Sequence, residues 1–235
     1  MNTYVDVGGA TVLSLRGAIL IYQGSRAFAT WHEAKQTDQG APFLGEARPL
    51  TTEFVHALSQ ELGSRVPVEI LPENVLVRTA DTIVWWTPAS HRTMFFRATD
   101  KEARALSGKR LPQPPLVWRV SGRELWVRAI RENTRPAAET ELSVAPYWNV
   151  NADDGLTCQG SMRSPEESGV GAIVQWERAF FQSEFTHQTG ARRLTTHPEG
   201  CLGLWTSLMK SRKPFPADLL SPANQKLADF AQVER

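Results

Sequence analysis

The sequence predicts an α+β fold in which one helix precedes an antiparallel β-meander and further helices complete the chain. Apolar residues recur at helical spacing between residues 54 and 62, and short β-rich runs separated by breakers follow between residues 75 and 130. Helical spacing returns after residue 164. The 235 residues suffice for one enlarged domain, so we expect an N-terminal β-hairpin extension over residues 1–50 and an α+β domain over residues 51–235.

The composition indicates a globular protein that acts on neither nucleic acids nor membranes. Twenty-six basic and 25 acidic side chains nearly cancel, which disfavours nonspecific attraction to anionic polymers or lipid surfaces. Apolar runs fall far short of the roughly 20 residues needed to cross a bilayer. Residues 1–9 lack the features of a secretory signal, so we expect the cytoplasm.

The first fifty residues predict little regular structure beyond a hairpin. Apolar residues on both sides of Arg16-Gly17 predict two strands joined by a tight turn over residues 11–23. Residues 24–49 are rich in Gly, Pro, Gln and charged side chains, which predicts an irregular connection with one short strand near residues 27–31.

The next part of the chain predicts a helix and then strands. Thr51 or Thr52 can cap the helix, and Gly63 is placed to end it. The proline-rich residues 107–115 predict a stiff loop, and residues 133–140 a polar connection out of the sheet. The predicted strands cover residues 75–78, 82–87, 93–97, 116–120 and 125–130.

Three helices are predicted after the sheet. Ser164-Pro165-Glu166-Glu167 combines a cap, a first-turn proline and acidic residues, which predicts a helix start. A second helix is expected over residues 202–210, and a third after Ser221-Pro222. The first of these helices is expected to bury Val170, Ile173, Val174, Phe180 and Phe181.

Cys158 is the candidate for chemistry. It follows the last predicted strand in a polar segment with Gly155 and Gly160, just before the predicted helix at Ser164, whose positive end would favour a thiolate. A thiolate is both a good nucleophile and a good leaving group, so a cysteine can accept an acyl group and pass it on. Cys201, beside Leu202, is expected in the core.

No cofactor or metal is expected. The chain has no phosphate-binding loop of the Walker type and no His-Glu-x-x-His helix. Two isolated cysteines cannot supply paired Cys-x-x-Cys zinc ligands.

The segment from Asn149 to Cys158 resembles the active segment of ubiquitin-conjugating enzymes, in which an asparagine, a glycine and the catalytic cysteine follow a helix and a meander. Over residues 51–210 the amino-acid sequence is most similar to protein B of the PRTRC cassette, a prokaryotic ubiquitin-conjugating-like family. The resemblance implies a ubiquitin-conjugating-enzyme-like fold and a thioester between Cys158 and the C-terminus of a ubiquitin-like protein. It also implies an activating enzyme resembling ThiF-type proteins and a JAB-type peptidase as partners.

The same resemblance assigns the oxyanion donor to Asn149. Tyr147-Trp148 replaces the usual His-Pro, so Asn151 is a substitute donor. Related prokaryotic families carry a histidine after the cysteine, and His197 matches best, with His187 less favoured.

Two other functions stay open at the level of sequence. The altered Tyr147-Trp148 turn favours a noncatalytic module that binds a ubiquitin-like protein. A cysteine hydrolase using Cys158 and His197 is the other alternative, although the chain offers no clear third group to orient the histidine.

Overall fold

The computed structural model of the chain describes residues 4–6, 12–23, 28–61, 69–79, 81–97, 99–166, 169–211 and 213–232. It combines antiparallel sheets with few helices, which confirms the predicted α+β class at this level. The chain divides into two compact units, Met1–Val68 and Glu69–Arg235. No helix in the described ranges is long and apolar enough to span a membrane.

The described part of the first unit holds five strands and one helix. They are β1 (Tyr4–Asp6), β2 (Val12–Ser14), β3 (Gly17–Tyr22), β4 (Phe28–Gln36), β5 (Pro42–Pro49) and α1 (Thr52–Glu61). β1 pairs with β2, and β3, β4 and β5 form a separate antiparallel sheet. The two strands predicted around Arg16-Gly17 are therefore present as β2 and β3, but they do not form a hairpin. β2 pairs with β1, and β3 pairs with β4.

The irregular connection predicted over residues 24–49 is instead occupied largely by β4 and β5. Most of their side chains are exposed, so polar residues fill strand positions and the usual hydrophobic alternation is missing. The buried His32 ring makes hydrogen bonds with Thr30 Oγ1 at 2.8 Å and with the Gly45 carbonyl at 2.9 Å, which connects β4 to β5.

The prediction of α1 is confirmed. Thr51 Oγ1 accepts a hydrogen bond from the Phe54 amide at 3.2 Å, as a capping residue should. The ring of Phe54 packs against Trp31 with centroids 4.8 Å apart. The predicted helix end at Gly63 lies outside the described residues.

The second unit contains nine strands in its described part. They are β6 (Val75–Arg78), β7 (Thr82–Thr87), β8 (Ser90–Phe96), β9 (Lys109–Gln113), β10 (Leu116–Ser121), β11 (Glu124–Ala129), β12 (Glu141–Val144), β13 (Glu184–Phe185) and β14 (Pro222–Lys226). A six-stranded antiparallel sheet has the order β14-β12-β11-β10-β7-β6. All five strands predicted between residues 75 and 130 are present.

The strand predicted at residues 93–97 does not belong to that sheet. It is β8, which pairs antiparallel with β9 and parallel with β13. β9 lies where a stiff loop was predicted, because prolines are tolerated in a strand at the edge of a sheet, where no partner requires the missing amide hydrogen. Pro112 lies opposite His91 in this pair.

Four helices lie in the described part of the second unit: α2 (Lys101–Leu106), α3 (Ile173–Gln182), α4 (Gly200–Ser211) and α5 (Leu227–Ala231). The helix start predicted at Ser164 is wrong: a 3-10 turn over Val170–Ala172 precedes α3, and Gly169 takes a φ of +106°. The helix predicted over residues 202–210 is confirmed as α4. The helix predicted to begin at Ser221-Pro222 begins later, at Leu227, because Pro222–Lys226 form β14.

An aromatic cluster fills the core between α3 and the sheets. Phe180 contacts the rings of Trp118, Tyr147, Phe181 and Phe185, all with centroids 5.1–5.5 Å away. Tyr147 is fully buried, and its hydroxyl donates a hydrogen bond to Gln113 Oε1 at 2.8 Å. The segment that leads to Cys158 therefore starts from a fixed point in the core.

We expect Phe180→Ala to reduce the free energy of unfolding by about 3–5 kcal/mol, because it leaves a cavity within the aromatic cluster. Val174→Ala on the same helix is the matched control: Val174 is 63% exposed, although it was predicted to be buried, and its truncation should cost about 0.5 kcal/mol or less. Urea unfolding followed by tryptophan fluorescence measures both. Similar losses for the two variants would contradict the packing described.

Candidate functional site

Cys158 is exposed at the end of a short segment held between two other pieces of chain. Its amide donates to the Asn149 carbonyl at 2.7 Å, and the Thr157 amide donates to the Leu125 carbonyl at 2.8 Å. Residues 156 and 157 form single bridges with Trp126 and Val150, respectively. The cysteine backbone is thus attached to β11 on one side and to the Asn149 segment on the other.

Gly155 makes the turn that brings the chain back to Cys158. Its φ is +85°, and its carbonyl accepts the Val127 amide at 2.8 Å. A Cβ atom here would lie 3.0 Å from the Val127 carbonyl oxygen and 3.1 Å from Arg128 Nε. Glycine is therefore required both by the left-handed backbone and by the close approach to β11.

The Arg128 side chain binds the backbone of the loop that leads into this turn. Only 1% of the residue is exposed, and its guanidinium donates to the carbonyls of Ala152 at 3.2 Å and Asp153 at 2.7 Å. Burial lowers the pKa of Arg128 to about 10, which leaves the side chain charged at neutral pH. A buried cation thus holds the carbonyl groups of the loop. No local pattern in the sequence indicates this long-range contact.

Asn149 lies beside Cys158 through its backbone, while its carboxamide is engaged elsewhere. It has a φ of +66° and is 4% exposed. Nδ2 donates to the Glu184 carbonyl at 2.6 Å, and Oδ1 accepts from the Thr186 amide at 3.1 Å and hydroxyl at 2.9 Å. One of the two Nδ2 hydrogens is therefore committed to the end of β13, and only the other is left for an oxyanion.

Asn151, the substitute donor, takes part in a local turn. Its Oδ1 accepts the Asp153 amide at 2.9 Å, and its own amide donates to the Leu156 carbonyl at 2.8 Å. It also forms a parallel bridge with Thr189. The residue is half-buried. Because Oδ1 already accepts the Asp153 amide, Nδ2 is the side-chain group that could act as a donor in a reaction.

The two histidines after the cysteine differ in their connection to it. The carbonyl of His187 accepts the Asn149 amide at 3.1 Å, so His187 is two backbone hydrogen bonds from Cys158. His197 Nδ1 accepts the Glu199 amide at 3.2 Å, and its carbonyl accepts the Gly200 amide at the start of α4. His197 bonds to Thr195, Glu199 and Gly200, which are all within three residues of it, whereas His187 and Thr186 bond to Asn149.

The helix predicted to begin beside Cys158 does not help the thiol. Residues 162–165 have no regular structure, and the first helical turn starts at Val170. A cavity of about 380 Å³ occupies this region instead. Arg163 and Arg178 are the charged residues among those that line it in the described part of the chain.

Cys201 has the structural role expected of it. It is 7% exposed, and its thiol donates to the Pro146 carbonyl at 3.3 Å. Burial raises the pKa of the Cys201 thiol to about 12. In the described ranges no group of three or more His, Cys, Asp or Glu side chains could hold a metal ion.

Comparison with known families places this geometry in context. The sequence model of prokaryotic E2 family D matches residues 51–223, which is well over half of the chain. The chain belongs to prokaryotic E2 family D. This confirms the predicted resemblance to a prokaryotic ubiquitin-conjugating-like family. No curated protein and no solved structure matches the chain.

Membership of prokaryotic E2 family D connects the chain with ubiquitin-like conjugation, and in general terms with a ubiquitin-like protein and an activating enzyme as partners. The matched residues 51–223 begin at the residue that caps α1 and include both Asn149 and Cys158. They also include His187 and His197.

We expect Gly155→Ala to destabilise the fold and to displace the Cys158 loop. Left-handed backbone alone costs a residue with a Cβ about 1–2 kcal/mol, and the clash with β11 adds about 1–3 kcal/mol. Gly122→Ala is the matched control, because Gly122 has a φ of +58° but no atom within 4 Å of the added Cβ. Equal losses in urea unfolding would show that β11 does not confine the loop.

Ellman's reagent at pH 8 should titrate one thiol in the folded protein and two in guanidinium chloride. Cys158 is exposed, whereas Cys201 is buried and its pKa of about 12 leaves only about 10⁻⁴ of it as thiolate at this pH. Cys158→Ala should abolish the fast reaction. Two rapidly reacting thiols in the folded wild-type protein would refute the burial of Cys201.

Proposed function

We propose that this member of prokaryotic E2 family D carries a ubiquitin-like protein as a thioester on Cys158 and transfers it to an amine or a thiol. The Cys158 thiolate attacks the thioester carbonyl of the activating enzyme and expels that enzyme's thiolate. An acceptor amine then attacks the new thioester, loses a proton to a base, and releases the Cys158 thiolate. The observation that carries the proposal is an exposed cysteine held in a defined bend by the Asn149 carbonyl.

The proposed fold is the ubiquitin-conjugating arrangement over residues 51–235, with residues 1–50 as an N-terminal extension. Support comes from the family match, which starts at residue 51, and from the order of helix, antiparallel strands, cysteine segment and C-terminal helices. Proposed partners are a ubiquitin-like protein, an activating enzyme resembling ThiF-type proteins and a JAB-type peptidase of the PRTRC cassette. The cytoplasm is the proposed compartment.

Asn149 is proposed as the oxyanion donor through its second Nδ2 hydrogen, with Asn151 as the substitute. An oxyanion hydrogen bond is worth about 10²- to 10³-fold in rate, so either group would matter. His197 stays a prediction for the histidine of the site. A base is needed because the attacking amine must lose a proton.

A noncatalytic binding module is the second candidate. The favouring observation is that the Asn149 carboxamide is buried and bonded to Glu184 and Thr186, as a purely structural asparagine would be. In such a module the surface around Cys158 would bind the ubiquitin-like protein without forming a bond. Hydrolysis by Cys158 and His197 stays a prediction. The hydrogen bonds of His197 to Thr195, Glu199 and Gly200 do not connect it with Cys158.

Incubation with the activating enzyme, the ubiquitin-like protein of the same cassette and ATP should give an adduct on a nonreducing gel that disappears with thiol. Cys158→Ser should convert it to an ester that resists thiol, and Cys201→Ser should leave the thioester unchanged. Binding of the ubiquitin-like protein by Cys158→Ala with no adduct in the wild type would favour the noncatalytic module. Release of free modifier without an acceptor would favour hydrolysis.

A further inference from the structure

We propose that His187 is the acid-base residue of the site, oriented by Thr186 and Asn149; this inference rests on the proposed transfer function. The histidine that the family resemblance favoured is His197, which bonds to residues within three positions of it. His187 is instead joined to the cysteine segment by its backbone and by its ring. The ring connection also determines which nitrogen can act as a base.

The hydrogen bonds of Asn149 fix the direction of the chain of donors. Nδ2 donates to the Glu184 carbonyl at 2.6 Å, which identifies the other atom of the carboxamide as the oxygen. That oxygen can only accept, so the Thr186 hydroxyl, 2.9 Å away, must donate to it. A hydroxyl has one hydrogen, so toward its other neighbour Thr186 Oγ1 can only accept.

That other neighbour is Nδ1 of His187, also 2.9 Å from Thr186 Oγ1. Nδ1 must therefore carry the hydrogen, and the neutral ring presents an unprotonated Nε2. This is the form that a general base requires. The third group that orients the histidine is thus the Thr186 hydroxyl, which is itself held by its hydrogen bond to Asn149 Oδ1. The sequence alone offered no candidate for this group.

His197 has the opposite arrangement. Its Nδ1 accepts the Glu199 amide at 3.2 Å, so the neutral ring carries its hydrogen on Nε2. Nε2 of His197 can therefore only donate a hydrogen bond. Nδ1 is the nitrogen that could take a proton from an amine, and it would lose the bond from the Glu199 amide.

The position of His187 suits an acceptor that enters between it and the thioester. The backbone of Asn149 lies between the two residues, bonded to Cys158 on one side and to His187 on the other. The left-handed φ of Asn149 allows its carbonyl to bond Cys158 while its amide bonds His187. Both His187 and Cys158 are exposed.

In the proposed step the acceptor nitrogen attacks the Cys158 thioester carbonyl, and Nε2 of His187 takes the proton from that nitrogen. The carbon-sulfur bond breaks, and the sulfur leaves as thiolate. His187 is then an imidazolium, which can return the proton to the thiolate or to water. Toward His187, Thr186 and the Asn149 Oδ1 atom act as positioning groups, and the second Nδ2 hydrogen of Asn149 stays free for the oxyanion.

A chemical thioester separates loading from transfer. Cys158 is loaded with a short peptide ending in Gly-Gly as its 2-mercaptoethanesulfonate thioester, and discharge to free lysine is followed by intact mass. His187→Gln should load as the wild type does and discharge about 10²-fold more slowly, the contribution of a general base. His91→Gln, at an exposed position of β8, is the matched control and should discharge at the wild-type rate. His197→Gln tests the competing assignment, and slow discharge of this variant alone would favour His197 over His187. Added imidazole should partly restore transfer in His187→Gly.

Variants of Thr186 test the orientation. Thr186→Val, which keeps the shape but removes the hydroxyl, should slow discharge, and Thr186→Ser should restore it. Long-range proton-nitrogen NMR correlations should show hydrogen on Nδ1 of His187 and on Nε2 of His197, and Thr186→Val should alter only the former. These spectra test the relay even if Cys158 accepts no acyl group.

The outcomes separate the two proposals. A wild-type protein that cannot be loaded at Cys158 contradicts the proposed transfer function. A loaded protein whose discharge is unaffected by His187→Gln, or is slowed equally by His197→Gln, overturns the role of His187. Hydrogen on Nε2 of His187 in the neutral ring would overturn the relay itself.

Discussion

The site depends on the backbone of Asn149, which is the middle of three adjacent segments. Its carbonyl accepts the Cys158 amide, and its amide donates to the His187 carbonyl. The left-handed φ of +66° lets the backbone serve both neighbours while the carboxamide reaches Glu184 and Thr186. Asparagine is among the few residues that adopt this conformation readily and also bond through their side chains, so one residue joins the whole site.

The surrounding structure supplies stiffness on both sides of that middle segment. On one side, buried Arg128 donates hydrogen bonds to the carbonyls of Ala152 and Asp153, and Gly155 fits against β11 without room for a Cβ. Before it, Tyr147 lies in the aromatic core and donates to Gln113. The proposed acyl transfer would need rigid attachment of this kind, because a small displacement of the reacting groups lowers the rate strongly.

The sequence predicted most elements of the large sheet, because each of its buried strands carries a short apolar run bounded by breakers. It failed where exposure removes that pattern, as in β4 and β5, and where proline suggested a loop, as in β9. It also predicted a helix start at Ser164, because the cap and the proline there resemble one. In the structure residues 162–165 have no regular structure. Local propensity yields to tertiary packing in all three places.

By itself the sequence determined the family, the α+β class, and the cysteine that stands out in a polar, glycine-containing segment after the strands. These follow from local patterns, since periodicity, breakers and motif spacing act over a few residues. Only the tertiary structure decided which residues surround that cysteine, bringing Thr186 and His187 to Asn149 and setting Arg128 beneath the loop. Such contacts join residues more than twenty positions apart, and their hydrogen bonds depend on how the chain folds back on itself.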